Sequence, residues 1–310
     1  MVRLRQNRPM LPRSPPHALS REPHQADASL PALLKAWRQL RRLSQLELAL
    51  VAGVSQRHLS FVESGRARAS RELLLTLAET LDLPLRECNL LLHAGGFAPV
   101  FEQRSLSDDD MASVRRALEL TLLHHEPYPA LVLDRQWNSL LRNRAAERLI
   151  GMLGEPAEVW QRVDPSGHKN VLRLSFHPQG LRPLVRNWEQ VAPHMLERLQ
   201  REIVAAPMDQ ALHALHQDLS AMSGLPTSSH TDQPRGRAAK PHGAAAAAAL
   251  TPTVNVELGL GEVTLRLFSL LSTFGTAQDV TTDELRIETF FPADDFTAVF
   301  FQELAGEAGR

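Results

Sequence analysis

The segment Leu43 to Ser64, with Arg42 before it, constrains the fold more than any other stretch of the chain. Gln45 to Val51 reads as one short helix and Gln56 to Ser64 as another. Between them lies Ala52-Gly53-Val54, where Gly53 can take the positive φ that side-chain-bearing residues resist. Ser55 is a good N-cap for the second helix, because its hydroxyl can accept from an orphan backbone N–H. Ala49 is small enough for two helices to cross closely. Leu59 and Val62, three apart, point inward and leave Gln56, Arg57, Ser60 and Phe61 outward. Two helices around a tight glycine break, the second with a polar face, make a helix-turn-helix of the kind that enters a DNA groove.

The text around this segment is helical from Leu30 to Gly96. A first helix is expected over Leu33 to Leu43. A fourth follows Ser70, with Leu73, Leu74, Leu77, Ala78 and Leu81 as an apolar stripe of helical spacing. Pro84 opens a fifth, and Gly95-Gly96 ends it. Five short helices over 29–99 are expected to form one small DNA-binding domain. Residues 1–28, rich in Pro, Arg and His, read as a disordered tail whose Arg3, Arg5, Arg8 and Arg13 add positive charge.

Charge supports a polyanion partner for the front alone. Residues 1–99 carry 14 Lys+Arg against 8 Asp+Glu, whereas 100–310 carry 20 against 27, so the net charge of −1 hides a basic head on an acidic body. The chain is long enough for about two domains, and 43% hydrophobic residues support real cores. A single cysteine, Cys88, excludes an internal disulfide framework and reads as a small buried hydrophobe. No apolar run is long enough to cross a membrane, and a cytoplasmic protein is expected.

The second domain is expected over 105–300. A helix begins at Ser107, with Asp108, Asp109 and Asp110 in its first turn, where the helix dipole favours anions. Ala130–Asp134 and Trp137–Arg142 read as a hairpin turning at Asp134-Arg135-Gln136, and Asn143 caps a helix through Ile150. A long helix is expected from Leu181 to Ile203, interrupted near Pro193, and another from Met208 to Leu219. Residues 224–252, with six successive alanines, read as a flexible insertion. Strands over Val254–Leu258, Glu262–Ser272 and Leu285–Phe291 then complete an α+β domain whose sheet draws on both ends of its sequence.

Both halves resemble known families. Residues 30–83, including SQRHLSFVESGRARASRE, are similar to the Xre/Cro helix-turn-helix regulators. YPALVLDRQWNSLLRN (128–143), NVLRLSFHPQGLRPLVRNW (170–188) and LSTFGTAQDVTTDELRIETFFPAD (271–294) resemble, in order, three stretches of the MmyB-like ligand-binding domain. The resemblance implies a PAS-like α+β sensor behind an all-α head. It also implies base contacts from Gln56, Arg57 and Phe61, with His58, Ser55 and Ser60 on the same helix. Gln45 is implied to grip phosphate, and Arg38 and Glu63 to form a structural ion pair. Arg66 and Arg71, with Arg68, are near enough to add phosphate contacts.

For the sensor, a small and largely apolar ligand is expected, a fatty-acyl chain being one example. The candidate walls are Leu131, Leu133, Trp137, Leu140, Phe176, Trp188, Leu265, Leu267 and Phe290, with Arg173, His177 or Asn187 as a polar anchor. For any single wall residue, plain core packing is the competing reading. His213 and His216, or His124 and His125, have no carboxylate or cysteine cluster beside them, so neither a metal nor a cofactor is expected. No nucleophile elbow, phosphate loop or zinc spacing appears, which argues against an enzyme. A transcription regulator binding a palindromic operator as a homodimer is therefore expected. An antitoxin with a protein partner is the alternative, and it fits poorly with so large an ordered rear half.

Overall fold

The computed structural model describes residues 29–225 and 254–307. The expected tail and all but the first two residues of the expected insertion lie outside them. Over 30–94 the chain forms five helices: α1 (Leu30–Leu40), α2 (Gln45–Val51), α3 (Gln56–Glu63), α4 (Arg71–Thr80) and α5 (Leu85–Ala94). Their apolar stripes meet in one core around Leu34, Trp37, Leu48, Leu59, Leu74, Leu77 and Leu92. α1 starts three residues earlier than expected, since Pro31 sits in its first turn, where a missing N–H costs nothing.

Serines fix where three of these helices begin. Ser44 Oγ accepts from the Glu47 N–H while Glu47 accepts from the Ser44 N–H, a reciprocal cap on α2. Ser55 Oγ accepts from the His58 N–H and Ser70 Oγ from the Leu73 N–H, each at 3.2 Å. Between α2 and α3 Gly53 takes φ +68°, and the Val54 N–H reaches back to the Ala49 carbonyl at 2.9 Å. This left-handed step makes the turn tight.

The second domain opens with a short 3-10 turn over Asp109–Met111 that runs into α6 (Ala112–His124). There follow β1 (Ala130–Leu133), β2 (Ser139–Arg142), α7 (Arg144–Gly151), α8 (Pro156–Val163), α9 (Val171–Phe176), α10 (Trp188–Ala205) and α11 (Gln210–Met222). Beyond the undescribed stretch lie β3 (Val256–Leu260), β4 (Val263–Thr273), α12 (Val280–Glu284), β5 (Arg286–Pro292) and α13 (Asp295–Glu307). The five strands form one antiparallel sheet in the order β2-β1-β5-β4-β3. The late strand β5 thus sits between the early β1 and the late β4. This is the α+β, PAS-like arrangement expected from the sequence.

The two faces of the sheet are covered differently. Leu131 and Leu133 of β1 join Leu258, Leu265 and Leu267 under α9, α10 and α11. Ala130 and Val132, alternating with them, pack on Leu118 and Leu122 of α6. Burial on both faces explains why β1 reads as an unbroken apolar run.

The expected long helix over 181–203 is in fact two elements. A 3-10 turn covers Arg182–Leu184, and α10 starts at Trp188 and runs through Pro193. The break falls at 185–187 because that backbone bonds to the sheet: Val185 bridges Leu258, and the Arg186 N–H donates to the Glu257 carbonyl at 2.8 Å.

Asn143 holds the start of this domain together. It is 2% exposed. Its Oδ1 accepts from the N–H groups of Ala130 and Ala146, both at 3.0 Å, and its Nδ2 donates to the Tyr128 carbonyl at 2.7 Å. One amide thereby caps α7 and fixes both ends of the hairpin. Asn143→Ala leaves buried backbone groups without partners, and its expected loss is roughly 2–4 kcal/mol of unfolding free energy in urea titrations. A loss within experimental error of zero would contradict this role.

Candidate nucleic-acid interface and sensor core

Among the described residues, α3 turns a polar face outward. Leu59 and Val62 are buried, while Gln56, Arg57 and His58 are exposed. Ser60 and Phe61 are half-buried. Phe61 is not part of the head's core. Instead the Arg57 guanidinium lies 5.3 Å from its ring centroid, one helical turn away. A cation and an aromatic ring therefore stand side by side on the face that includes Gln56. Ser55 is exposed as the N-cap, and Arg66, Arg68 and Arg71 are exposed around the α3–α4 connection. Among the described residues the acidic second domain meets the head at α5, and Gln56, Arg57 and His58 are exposed with it in place.

Behind that face, Glu63 gathers three elements. Arg38 of α1 donates through Nε to Glu63 Oε1 at 2.7 Å and through Nη2 to Oε2 at 2.9 Å. Arg38 Nη1 also holds the Leu43 carbonyl at 2.9 Å. Gln45 of α2 donates its amide to Glu63 Oε2 at 2.8 Å. The Arg38 and Glu63 side chains are only 11% and 3% exposed. Burial pushes the Glu63 carboxyl upward, but hydrogen bonds from Arg38 and Gln45 outweigh it and hold the group below its ordinary range. Gln45, expected to grip phosphate, thus spends one of its two side-chain N–H groups on Glu63. What it still offers a phosphate is the second amide N–H and its place at the N-terminus of α2.

In the sensor, Leu131, Leu133, Trp137, Phe176, Trp188, Leu265 and Leu267 come together in one buried cluster, with Phe290 at its edge. Phe176 and Trp188 meet edge to face at 4.8 Å between ring centroids. Leu140 does not join them. The β1–β2 pairing slips between Val132 and Leu133, where Leu133 faces Ser139, and Leu140 packs instead in the α6 cluster on the other face. One extra residue in a strand is enough to turn a side chain to the opposite side.

The expected anchors are otherwise engaged. Arg173 pairs with Asp218 of α11 at 2.6 Å near the surface. Asn187 donates to the Asn255 carbonyl and accepts from the Glu257 N–H, tying α10 to β3. His177 Nδ1 accepts from the Gln179 N–H.

Comparison with known families then decides the matter. Residues 34–88 match the helix-turn-helix family, and residues 114–304 match the MmyB-like transcription regulator ligand binding domain. The chain belongs to the MmyB-like transcription regulators. No curated protein matches it. An MmyB-like regulator with these two parts is a DNA-binding transcription regulator with a ligand-sensing domain. No helix among the described residues is long and apolar enough to cross a membrane.

The MmyB-like sensor also holds a polar group that the sequence reading missed. The Trp137 indole N–H donates to Glu202 of α10 at 2.8 Å. Arg198 of α10 and Arg286 of β5 lie 4.6 and 5.3 Å from the same ring system. Arg286 also pairs with Glu202 at 2.7 Å. Glu288, two residues along β5, is 8% exposed, and burial pushes its carboxyl up against the opposing pull of Arg198. A signal was present: Arg286, Glu288 and Phe290 alternate on one side of β5, and Phe290 belongs to the inner face.

Because its folded-state carboxyl is held low, Glu63 contributes stability above the ordinary carboxylate range and loses it as pH falls through the lowered value. Arg38→Met strands Glu63 and is expected to cost roughly 3 kcal/mol at neutral pH. That penalty is expected to shrink in acid as Glu63 gains a proton. Denaturant titrations of the two proteins across pH check this, and a pH-independent difference would contradict it.

Proposed function

We propose that this regulator reads a palindromic operator as a homodimer, with α3 of each copy in the major groove. Gln56 and Arg57 contact base edges, Phe61 meets a thymine methyl, and His58 and Ser60 lie along the same face. Arg66 and Arg71 neutralise phosphates. The observation that carries this reading is the open face of α3, where Gln56, Arg57 and His58 stand exposed with the sensor attached. An amide can pair bidentately with adenine and a guanidinium with guanine. Two such helices meet half-sites about 34 Å apart, or a multiple of it.

The sensor's ligand is small and mostly apolar, a fatty-acyl chain being the example that fits best. Supporting this are the aliphatic and aromatic residues of the inner sheet face and the polar group beside Trp137. Sites for such ligands combine apolar walls with a few placed polar atoms. The ligand acts by preferring one geometry of the dimer over another.

Two experiments test the reading. On a duplex the protein selects from a random pool, Arg57→Ala is expected to lose roughly 1–3 kcal/mol and to relax sequence preference. Arg71→Ala is expected to weaken binding to all duplexes alike and to flatten the salt dependence by about one counterion. Wild-type affinity and preference for the Arg57 variant would refute the assignment. For the sensor, native mass spectrometry and thermal shifts with acyl chains of graded length are expected to show one bound chain and a rise in melting temperature. The absence of both would remove the apolar-ligand reading.

A further inference from the structure

The head and the sensor meet across a cluster of charges. Arg86 of α5 forms a two-pronged pair with Glu284 of α12, at 2.6 and 2.8 Å. Arg135, in the β1–β2 turn and only 7% exposed, reaches the same Glu284 at 3.0 Å. It also pairs with Asp209, the N-cap of α11. The Leu85 N–H at the start of α5 donates to Asp283 at 3.3 Å.

Glu87, the second residue after Leu85 on α5, points into the same seam. It is 2% exposed, and neither of its carboxyl oxygens has a hydrogen-bond partner. The nearest cation, Arg135, stands 4.0 Å from Oε1. The charged groups around Glu87 are Arg86 on its own helix, Arg135 from the β1–β2 turn, Asp209 from the cap of α11 and Glu284 from α12. Three carboxylates therefore face two guanidinium groups. With all five ionised, the seam holds one uncompensated negative charge. A single proton on Glu87 removes it.

We propose that this seam is a proton-sensitive latch between the DNA-reading head and the sensor, closed while Glu87 is protonated and loosened when it ionises. An unpaired buried carboxylate is costly, and separating the two domains lets it reach water. Burial pushes the Glu87 carboxyl up, with Arg135 opposing the rise and Asp209 adding to it. A group whose value is higher in the closed state favours closure fully at low pH, and that contribution is lost as pH rises through the closed-state value. Asp283 is raised by partial burial and by Glu284 against the lowering bond from the Leu85 N–H, and it acts in the same direction.

The latch joins the two functions of the chain. α5 shares its core with α3, so the seam sets how the reading helix is held against the sensor. On the sensor side, Arg135 follows β1 and Asp209 caps α11, and both elements line the inner core. A change in that core therefore has a short route to the seam, through the β1–β2 turn and the cap of α11.

The test is hydrogen exchange of the full chain across pH, with rates corrected for intrinsic exchange. Protection of α5 and α12 amides at the seam is expected to fall by about tenfold per pH unit while Glu87 is protonated in the closed seam but ionised in the open one, the slope for release of one proton on opening, and to level off above the closed-state value. Protection of β4 is expected to stay level as a control for global folding. Glu87→Gln keeps the shape without the charge and is expected to remove the share of the slope that Glu87 carries, leaving only what Asp283 adds. Should that variant fold poorly, Glu87→Met is read the same way. A flat profile in the wild-type chain, or an unchanged slope in the variant, would overturn the proposal.

Discussion

The ion pair between Arg38 and Glu63 fixes the geometry on which DNA reading depends. α3 is only two turns long and cannot hold its own angle. Its last residue, Glu63, is gripped by Arg38 from α1 and by Gln45 from α2, so three helices converge on one carboxylate. The apolar core sets how far apart the helices lie. The fork-shaped guanidinium sets their orientation, because two parallel bonds tolerate little rotation. A hydrophobic pair in its place would pack as well but would not specify the angle.

The same use of charge recurs deeper in the chain, with a different outcome at each place. At Glu63 two donors satisfy the carboxylate and lower its affinity for protons. At Glu87 no donor reaches the carboxyl, and burial raises that affinity. At Glu288 an arginine stands near but burial still dominates. These acids differ in what faces them, and that difference separates a brace from a switch. The sheet supports the contrast, since Arg286 reaches Trp137 from the face that carries Leu131, Leu133, Leu265 and Leu267.

The head was legible in the sequence because its signals are local. Ser55 caps the helix that it marks, Gly53 takes the positive φ that its turn requires, and Leu59 and Val62 are buried as their spacing implies. The sensor was less legible where distant residues decide. The chain breaks at 185–187 because it bonds to β3, seventy residues on, and no local pattern encodes that. Leu140 turns away from the inner face because of a slip in pairing that alternation alone does not reveal. α8 and α9 are too short for a helical period to stand out. The junction of Glu87, Arg135, Asp209 and Glu284 joins four distant points of the chain, each an ordinary charged residue when read alone.

In the proposed mode of reading, α3 lies in a duplex with its side chains against the bases. Photo-crosslinking measures this most directly, with a benzophenone residue placed at Gln56 and, for comparison, at Leu270 on the exposed side of the sheet. Position 56 is expected to crosslink to bases of a selected duplex, and position 270 is not. Crosslinks from position 270 alone, or none from position 56 on a duplex that is demonstrably bound, would contradict it.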